Sequence, residues 1–414
     1  MPDQDAPLVR NATIHIAGEA LWGLGSATLA PATVLMTFLS SRGGEQGTAG
    51  LLAAIEGGAG LLQIAGPYLF RTAHRRKRQI LLWHFCCILP AMYLMGWAVA
   101  SGAELSTTWV RVMVLTGCAL FFGSIGMVAG MWGDWFAHLF AARVRGTISG
   151  LVWCATALAG ALGGFSASRL IATHHYGWLA LLACSMCTLS ISLFGWVRDP
   201  ADAVTTQVSF PRGHELLKRL LLSWRSPPVR ALLVARICGN AAFAVIPFVS
   251  LRFLQLGFSD SSVVACGIGL TVGSAVAALT FGPIGDRWGH RLSLRAGLIA
   301  AAGALLIATT STSLTGCILT YAALGLGGGA WLGGGYLVHE TNPHDSRLSH
   351  LIACNLVQAA AGIVVPLLWV VLAKEMGLQH LEALGLGVAL IGLVWAWFLV
   401  PEPRLNSERP NASC

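Results

Sequence analysis

The stretch GPIGDRWGHR, residues 282–291, breaks a chain of leucines and alanines with glycines, a proline, an aspartate and two arginines. A second stretch, GPYLFRTAHR at 66–75, repeats its frame of Gly-Pro, then Arg, then His-Arg, with Phe70 where the other copy has Asp286. What surrounds both is apolar. Of 414 residues 55% are hydrophobic and 11% charged, at a mean hydropathy of +0.69. Soluble domains carry roughly 25% charged residues, so a single water-exposed globule is excluded. Apolar runs of about twenty residues recur along the chain, each long enough at 1.5 Å per residue to cross a ~30 Å hydrocarbon layer. The composition is that of an all-α polytopic membrane protein.

Twelve such runs stand at about 15–40, 47–70, 79–101, 107–135, 147–171, 175–197, 229–256, 261–284, 292–311, 314–340, 349–373 and 380–400. The longest polar break divides them six and six. The expected organisation is a first bundle over 1–197, a linker over 198–228, a second bundle over 229–401 and a tail over 402–414. The first run begins near His15 and is too long for a signal-peptide core, so it is expected to remain as span 1.

Charge fixes the expected orientation. With the N-terminus inside, only Arg42, Arg111, Arg169, Arg252 and Lys374 of the 26 basic residues fall on the outer face, and Arg236 lies within a span. Positive residues collect on the cytoplasmic side, which places both termini and the linker there, in a cytoplasmic (inner) membrane. The sequons at Asn11 and Asn411 then face the cytoplasm and go unused. The formal charge of +8 resides in short loops, so no nucleic-acid partner is expected.

Each copy of the repeated stretch follows the second span of its half, so the halves read as parallel repeats. In transporters of that plan the substrate site lies at the repeat interface near midplane. GPIGDRWGHR also resembles the loop signature of the major facilitator superfamily, roughly G-x-x-x-D-R-x-G-R-R. Gly282, Asp286, Arg287, Gly289 and Arg291 match it, with His290 at a basic position. The resemblance implies two six-helix bundles related by a pseudo-two-fold axis around a central cavity, and secondary active transport of a small molecule by alternating access. It further implies an inner latch, in which Asp286 caps the start of span 5 at Arg145-Gly146-Thr147 in one conformation and releases it in the other. In the degenerate copy Phe70 cannot do this, and the adjoining Arg75-Arg76-Lys77-Arg78 is expected to fix topology and touch anionic lipid. Two signatures of proton/drug antiporters are damaged: Ala119 and Phe122 stand where span 4 usually carries Arg and Gln, and Ala159–Gly164 lacks the span 5 proline. The direction of transport is therefore not implied.

Ionisable groups inside spans are costly and point to function. Glu56, near the middle of span 2, is the first candidate for a proton-binding carboxyl. Glu19 and Arg236 occupy corresponding positions on spans 1 and 7, where an ion pair, or capture of an anionic substrate by Arg236, would account for both. Asn240 lies one turn beyond Arg236 on the same face. Asp134, at the end of span 4, suits a helix-end role. Trp22, Trp132, Trp331, Tyr336, Asn355 and Gln358 fall on helices that line the family's cavity. The glycine-rich run at about 323–335 lies inside a span and suits close helix packing rather than phosphate binding.

The remaining signals are weaker. HELLKRLLLSW, residues 214–224, fits either an amphipathic helix on the inner headgroups, with Lys218 and Arg219 toward anionic lipid, or a solvated connector. His214-Glu215 and His339-Glu340 begin like a zinc-protease motif, but Lys218 and Pro343 stand where its second histidine belongs. The 11 cysteines fall almost wholly within spans, where buried thiols act as small hydrophobes, and no disulfide framework is expected. No cofactor, nucleotide-binding segment or catalytic pair is evident, so an enzyme is not expected. The expected partners are an unidentified small molecule, protons and membrane lipids, with the chain a monomer. Two alternatives stay open: a non-transporting receptor or assembly factor on the same scaffold, and a metal or metal-complex transporter drawing on Glu19, Glu56, His84 and the cysteines.

Overall fold

A computed structural model describes residues 5–69, 76–140, 142–199, 213–341 and 347–403. Phe70, Arg71, Arg75, Pro343 and Asn411 lie outside them, as do the side chains of Asp134, Asp286, His339 and residues 142–147. Among the described residues all regular structure is helical. Twelve helices are long and apolar enough to cross a membrane: spans 1 to 6 at Leu8–Ser40, Gln46–Ala65, Arg76–Ala100, Thr107–Gly133, Ile148–Ala172 and Tyr176–Phe194, and spans 7 to 12 at Pro227–Gln255, Asp260–Gly285, His290–Thr310, Leu314–Val338, Ile352–Met376 and Leu378–Phe398.

Span 1 begins well before the boundary that hydropathy marks at residue 15. Its helix starts at Asp5, because polar Asn11 is buried rather than solvated. The Asn11 amide donates to the Arg198 carbonyl (2.8 Å) and its oxygen accepts the Arg198 N–H (3.0 Å), so it is satisfied by the end of span 6. Lys77 is similarly diverted. Its ammonium donates to the carbonyls of Gly195 and Val197, both at 2.6 Å, which corrects the expectation that its whole basic cluster is turned to lipid.

Spans 1 and 7 are both broken near their middles. Span 1 leaves the α-helix at Ala27 and resumes through a π-helical turn, Pro31–Leu35. Span 7 stops at Phe243 and resumes at Ile246, with Pro247 in the first turn of the second piece. Proline supplies no N–H to the preceding turn and clashes with its carbonyl, so each proline sits where a new helical segment begins. The equivalent breaks are a structural mark of the internal repeat. Span 3 holds a further π-helical turn, His84–Ile88, just before Pro90, a common consequence of one missing backbone donor.

The two bundles meet through spans 5 and 8 and through spans 2 and 11. Small residues allow the approach. A Cβ at Gly57 would lie 2.6 Å from the Gly362 carbonyl oxygen, and one at Gly362 would lie 2.7 Å from the Gly57 carbonyl. Gly362→Val is expected to wedge spans 2 and 11 apart at a cost of about 1–3 kcal/mol, measurable as a lower unfolding temperature in detergent. An unchanged temperature would mean that the two backbones do not touch.

At the end of the bundle away from the termini the halves are sealed. The Ser250 hydroxyl donates to the Ala32 carbonyl (2.7 Å), joining span 7 to span 1, and the Ser168 hydroxyl donates to the Ser261 carbonyl (2.8 Å), joining span 5 to span 8. Behind this seal Arg252 forms a buried ion pair with Glu382 of span 12. Arg252 is therefore no outer-loop charge, as the count of basic residues had it: span 7 continues to Gln255 and its guanidinium turns inward.

The 214–224 stretch is a helix, Gly213–Arg225. Leu220 packs with Ile352 and Ala353 at the start of span 11, and the Trp224 indole donates to the Ala353 carbonyl (3.0 Å). Leu217, Leu221 and Leu222 remain about half exposed beside exposed Lys218. The helix is thus anchored on one side and keeps an apolar strip on the other, the division an interfacial helix requires.

Candidate functional site

The space between the bundles forms a cavity of two lobes. One, of about 560 Å³, is walled by Trp22, Phe121, Trp153, Thr156, Thr271 and Ser274 among others. The second, of about 500 Å³, is walled by Gln63, Asn240, Asn355 and Gln358 along with apolar residues. Glu56, Phe122, Phe243 and Trp331 belong to both. On span 8 the wall runs from Leu270 to Ala278, on the terminal side of the seal at Ser261 and Gly267. The cavity therefore extends from mid-bundle toward the face that carries the termini.

Glu56 is the one ionisable residue in the described lining of either lobe. The chain places it there by a change of helix type. The α-helix Gln46–Gly58 ends in a glycine pair, and a 3₁₀ segment, Ala59–Ala65, carries span 2 onward. The tighter winding turns Gly60 and Gln63 toward span 11, where the Asn355 amide donates to the Gln63 side-chain oxygen (2.9 Å). Opposite lies an aromatic wall, with Trp22 and Phe121 stacked at 6.0 Å and 8° and Phe122 edge-on to Phe121 at 5.2 Å.

Glu19 and Arg236 do not meet. Glu19 lies beside Trp132 within its own bundle. Arg236 is buried against Gly334, in the second bundle, and ion-pairs with no described residue. Corresponding positions on spans 1 and 7 do not imply contact, because each side chain turns into its own bundle. Trp132 is likewise a core aromatic of the first bundle, packed on Phe194 (4.7 Å), His84 (5.4 Å) and His15 (6.1 Å). Trp22, Trp331, Asn240, Asn355 and Gln358 do face the cavity.

His15 escaped the sequence reading. It is fully buried among Trp132, Trp135, Phe136, Phe140 and Phe194, and neither ring nitrogen has a hydrogen-bond partner among the described residues. His84 engages the Ile80 carbonyl through Nδ1 (2.8 Å), which assigns the proton to that nitrogen. Among the described residues no three His, Cys, Asp or Glu side chains gather as a metal site, and the ten described cysteines are free thiols.

The stretch at 282–291 is not a loop. Helix continues through Asp260–Trp288, with Gly282, Asp286 and Arg287 in its last turns, and restarts at His290. The whole reversal rests on Gly289 at φ +95°, a backbone region open to glycine and strained for other residues. Pressed against Gly289 is Glu402, whose carboxylate accepts the Arg291 backbone N–H (2.9 Å), while the Arg291 guanidinium donates to the Val400 carbonyl (3.2 Å). The second half of the stretch thus clamps the end of span 12. Arg287 stays exposed, its guanidinium 5.2 Å from the Trp288 ring centroid. Gly289→Ala is expected to cost about 1–3 kcal/mol through backbone strain alone, plus the displacement of Glu402. Thermal unfolding in detergent checks this, and a cost near zero would refute the assigned turn.

The described chain resembles solved transporters along nearly its whole length. A mutant of the nucleoside transporter NupG aligns at 10% identity and a TM-score of 0.65, covering 95% of this chain and 100% of that one. A POT family transporter in complex with a thioalcohol-conjugated peptide aligns at 11% and 0.69, covering 95% and 97%. The human organic anion transporter MFSD10 (TETRAN) aligns at 15% and 0.56, covering 94% and 99%. At these identities the likeness establishes the fold. Independently, the family model described as Major Facilitator Superfamily matches residues 237–413. No curated protein matches the chain.

Proposed function

We propose that this chain, a major facilitator superfamily protein by its family match over 237–413 and by its fold over the whole length, is a secondary active transporter that moves a small molecule by alternating access. The observation that carries this reading is the central cavity, sealed by hydrogen bonds between the halves at one end and extending toward the other. Such a cavity is one of the two states that rocking of the bundles would interconvert. With the termini cytoplasmic, as the Lys/Arg distribution favours, this state faces inward. In the outward-facing state Asp286 would latch onto the start of span 5, as the family signature implies.

Glu56 is the proposed site of proton coupling. A carboxyl in the wall of a membrane-embedded cavity can exchange its charge for a proton as the cavity changes sides. Solved proteins of this fold include a nucleoside transporter, transporters holding a peptide conjugate or 5-aminolevulinic acid, and an organic anion transporter. These classes make the first panel to try. The test is ligand-dependent thermal stabilisation against that panel, followed by uptake of any stabilising compound into proteoliposomes. Saturable uptake that rises with an imposed pH gradient is expected. Stabilisation without uptake under any gradient would replace the transporter with a receptor on the same scaffold.

A further inference from the structure

Arg236 presents an unsolved charge balance. Its side chain is 5% exposed, and Nε and Nη1 have no hydrogen-bond acceptor among the described residues. No described carboxylate pairs with it. A guanidinium does not give up its proton in proteins, and an ion buried without a counter-charge is strongly disfavoured. A second donor faces the same space. Gln358, also 5% exposed, has no acceptor for its Nε2 among the described residues. Both line one recess, together with Asn240, Phe243 and Trp331, and Asn240, Phe243, Trp331 and Gln358 also line the second lobe of the main cavity.

From this geometry we infer that Arg236 and Gln358 bind a compact monovalent anion in the wall of the cavity. Donor atoms of both side chains are left without a described partner around one recess, and the buried guanidinium calls for a ligand that brings negative charge. The recess encloses about 10 Å³, roughly the space of one water centre, which admits a halide or one oxygen of a carboxylate and cannot enclose a whole phosphate. The ion is either free halide or the carboxylate head of a carried molecule; the second source rests on the transport reading above.

Purified protein in detergent is titrated with sodium chloride or sodium acetate, with sodium isethionate holding ionic strength constant, and its unfolding temperature is followed. A ligand at free concentration c that binds the folded state raises that temperature in proportion to ln(1 + c/Kd), so the rise sets in near Kd and continues logarithmically above it. The expected result is a rise whose onset concentration moves at least tenfold higher in Arg236→Gln and about threefold higher in Gln358→Leu. If Arg236→Gln does not fold, Gln358→Leu carries the test. A response to chloride identifies free halide, and a response to acetate alone identifies a carboxylate head. No rise with either salt at constant ionic strength, or a rise unchanged in the variants, overturns the site. Anion binding by a protein that transports nothing would keep this site and remove the transport reading; transport with no anion response would do the reverse.

Discussion

Glu382→Leu is expected to destabilise the protein by about 3–5 kcal/mol, the usual consequence of removing one partner of a buried ion pair. Glu382 is fully buried and Arg252 nearly so. The guanidinium contacts the Glu382 carboxylate and the Ala308 carbonyl, and reaches the Ser311 carbonyl at 3.5 Å. One side chain of span 7 thereby ties the ends of spans 9 and 12. Without the carboxylate, the guanidinium stays in an apolar setting with carbonyls alone, and it can neither reach water nor lose its proton. The double variant Arg252→Met/Glu382→Leu is expected to recover most of the loss, since two packed apolar side chains of similar volume often equal or exceed a buried pair. Denaturant or thermal unfolding in detergent measures all three proteins. A Glu382→Leu cost below about 1 kcal/mol would mean the pair is hydrated. The same segment of span 7, Ile246–Gln255, carries Ser250 of the seal, so the single variant should also loosen the closed end.

The pair shows where the sequence stopped being legible. Hydropathy located twelve spans because length and apolarity are local properties, and the repeated Gly-Pro frame exposed the two-fold plan. Arg252 lies near a span end, and from the sequence alone its side chain could turn either to water or inward. Only the path of span 12, distant in sequence, decides that Glu382 waits there. Glu56 differs: a carboxyl in mid-span has few places to go but a cavity, and it lies in one. Glu19 and Arg236 were matched by repeat position, yet repeat symmetry relates places without bringing them together. Glu402 was invisible for the same reason as Glu382. The carboxylate that meets Gly289 comes from beyond span 12, and nothing local to either residue announces the other. His15 gave no signal because a lone histidine near a helix start is ordinary; its five aromatic neighbours come mainly from spans 4 and 6.

Glu56→Gln is expected to abolish uphill accumulation while leaving exchange of substrate across the membrane intact. Glutamine keeps the size and hydrogen-bonding reach of the side chain but takes no part in proton exchange at neutral pH. No other described residue of the cavity lining titrates near neutrality, so no neighbour can assume the role. A pH difference of one unit is worth about 1.4 kcal/mol per proton, enough to drive about tenfold accumulation at one proton per substrate. The wild-type protein in proteoliposomes should approach that ratio, and Glu56→Gln should stay near equality at every imposed gradient. Counterflow, which needs only alternation of the loaded cavity, should persist in the variant. A variant that still accumulates tenfold would place proton coupling elsewhere. Loss of counterflow together with accumulation would instead make Glu56 a substrate ligand.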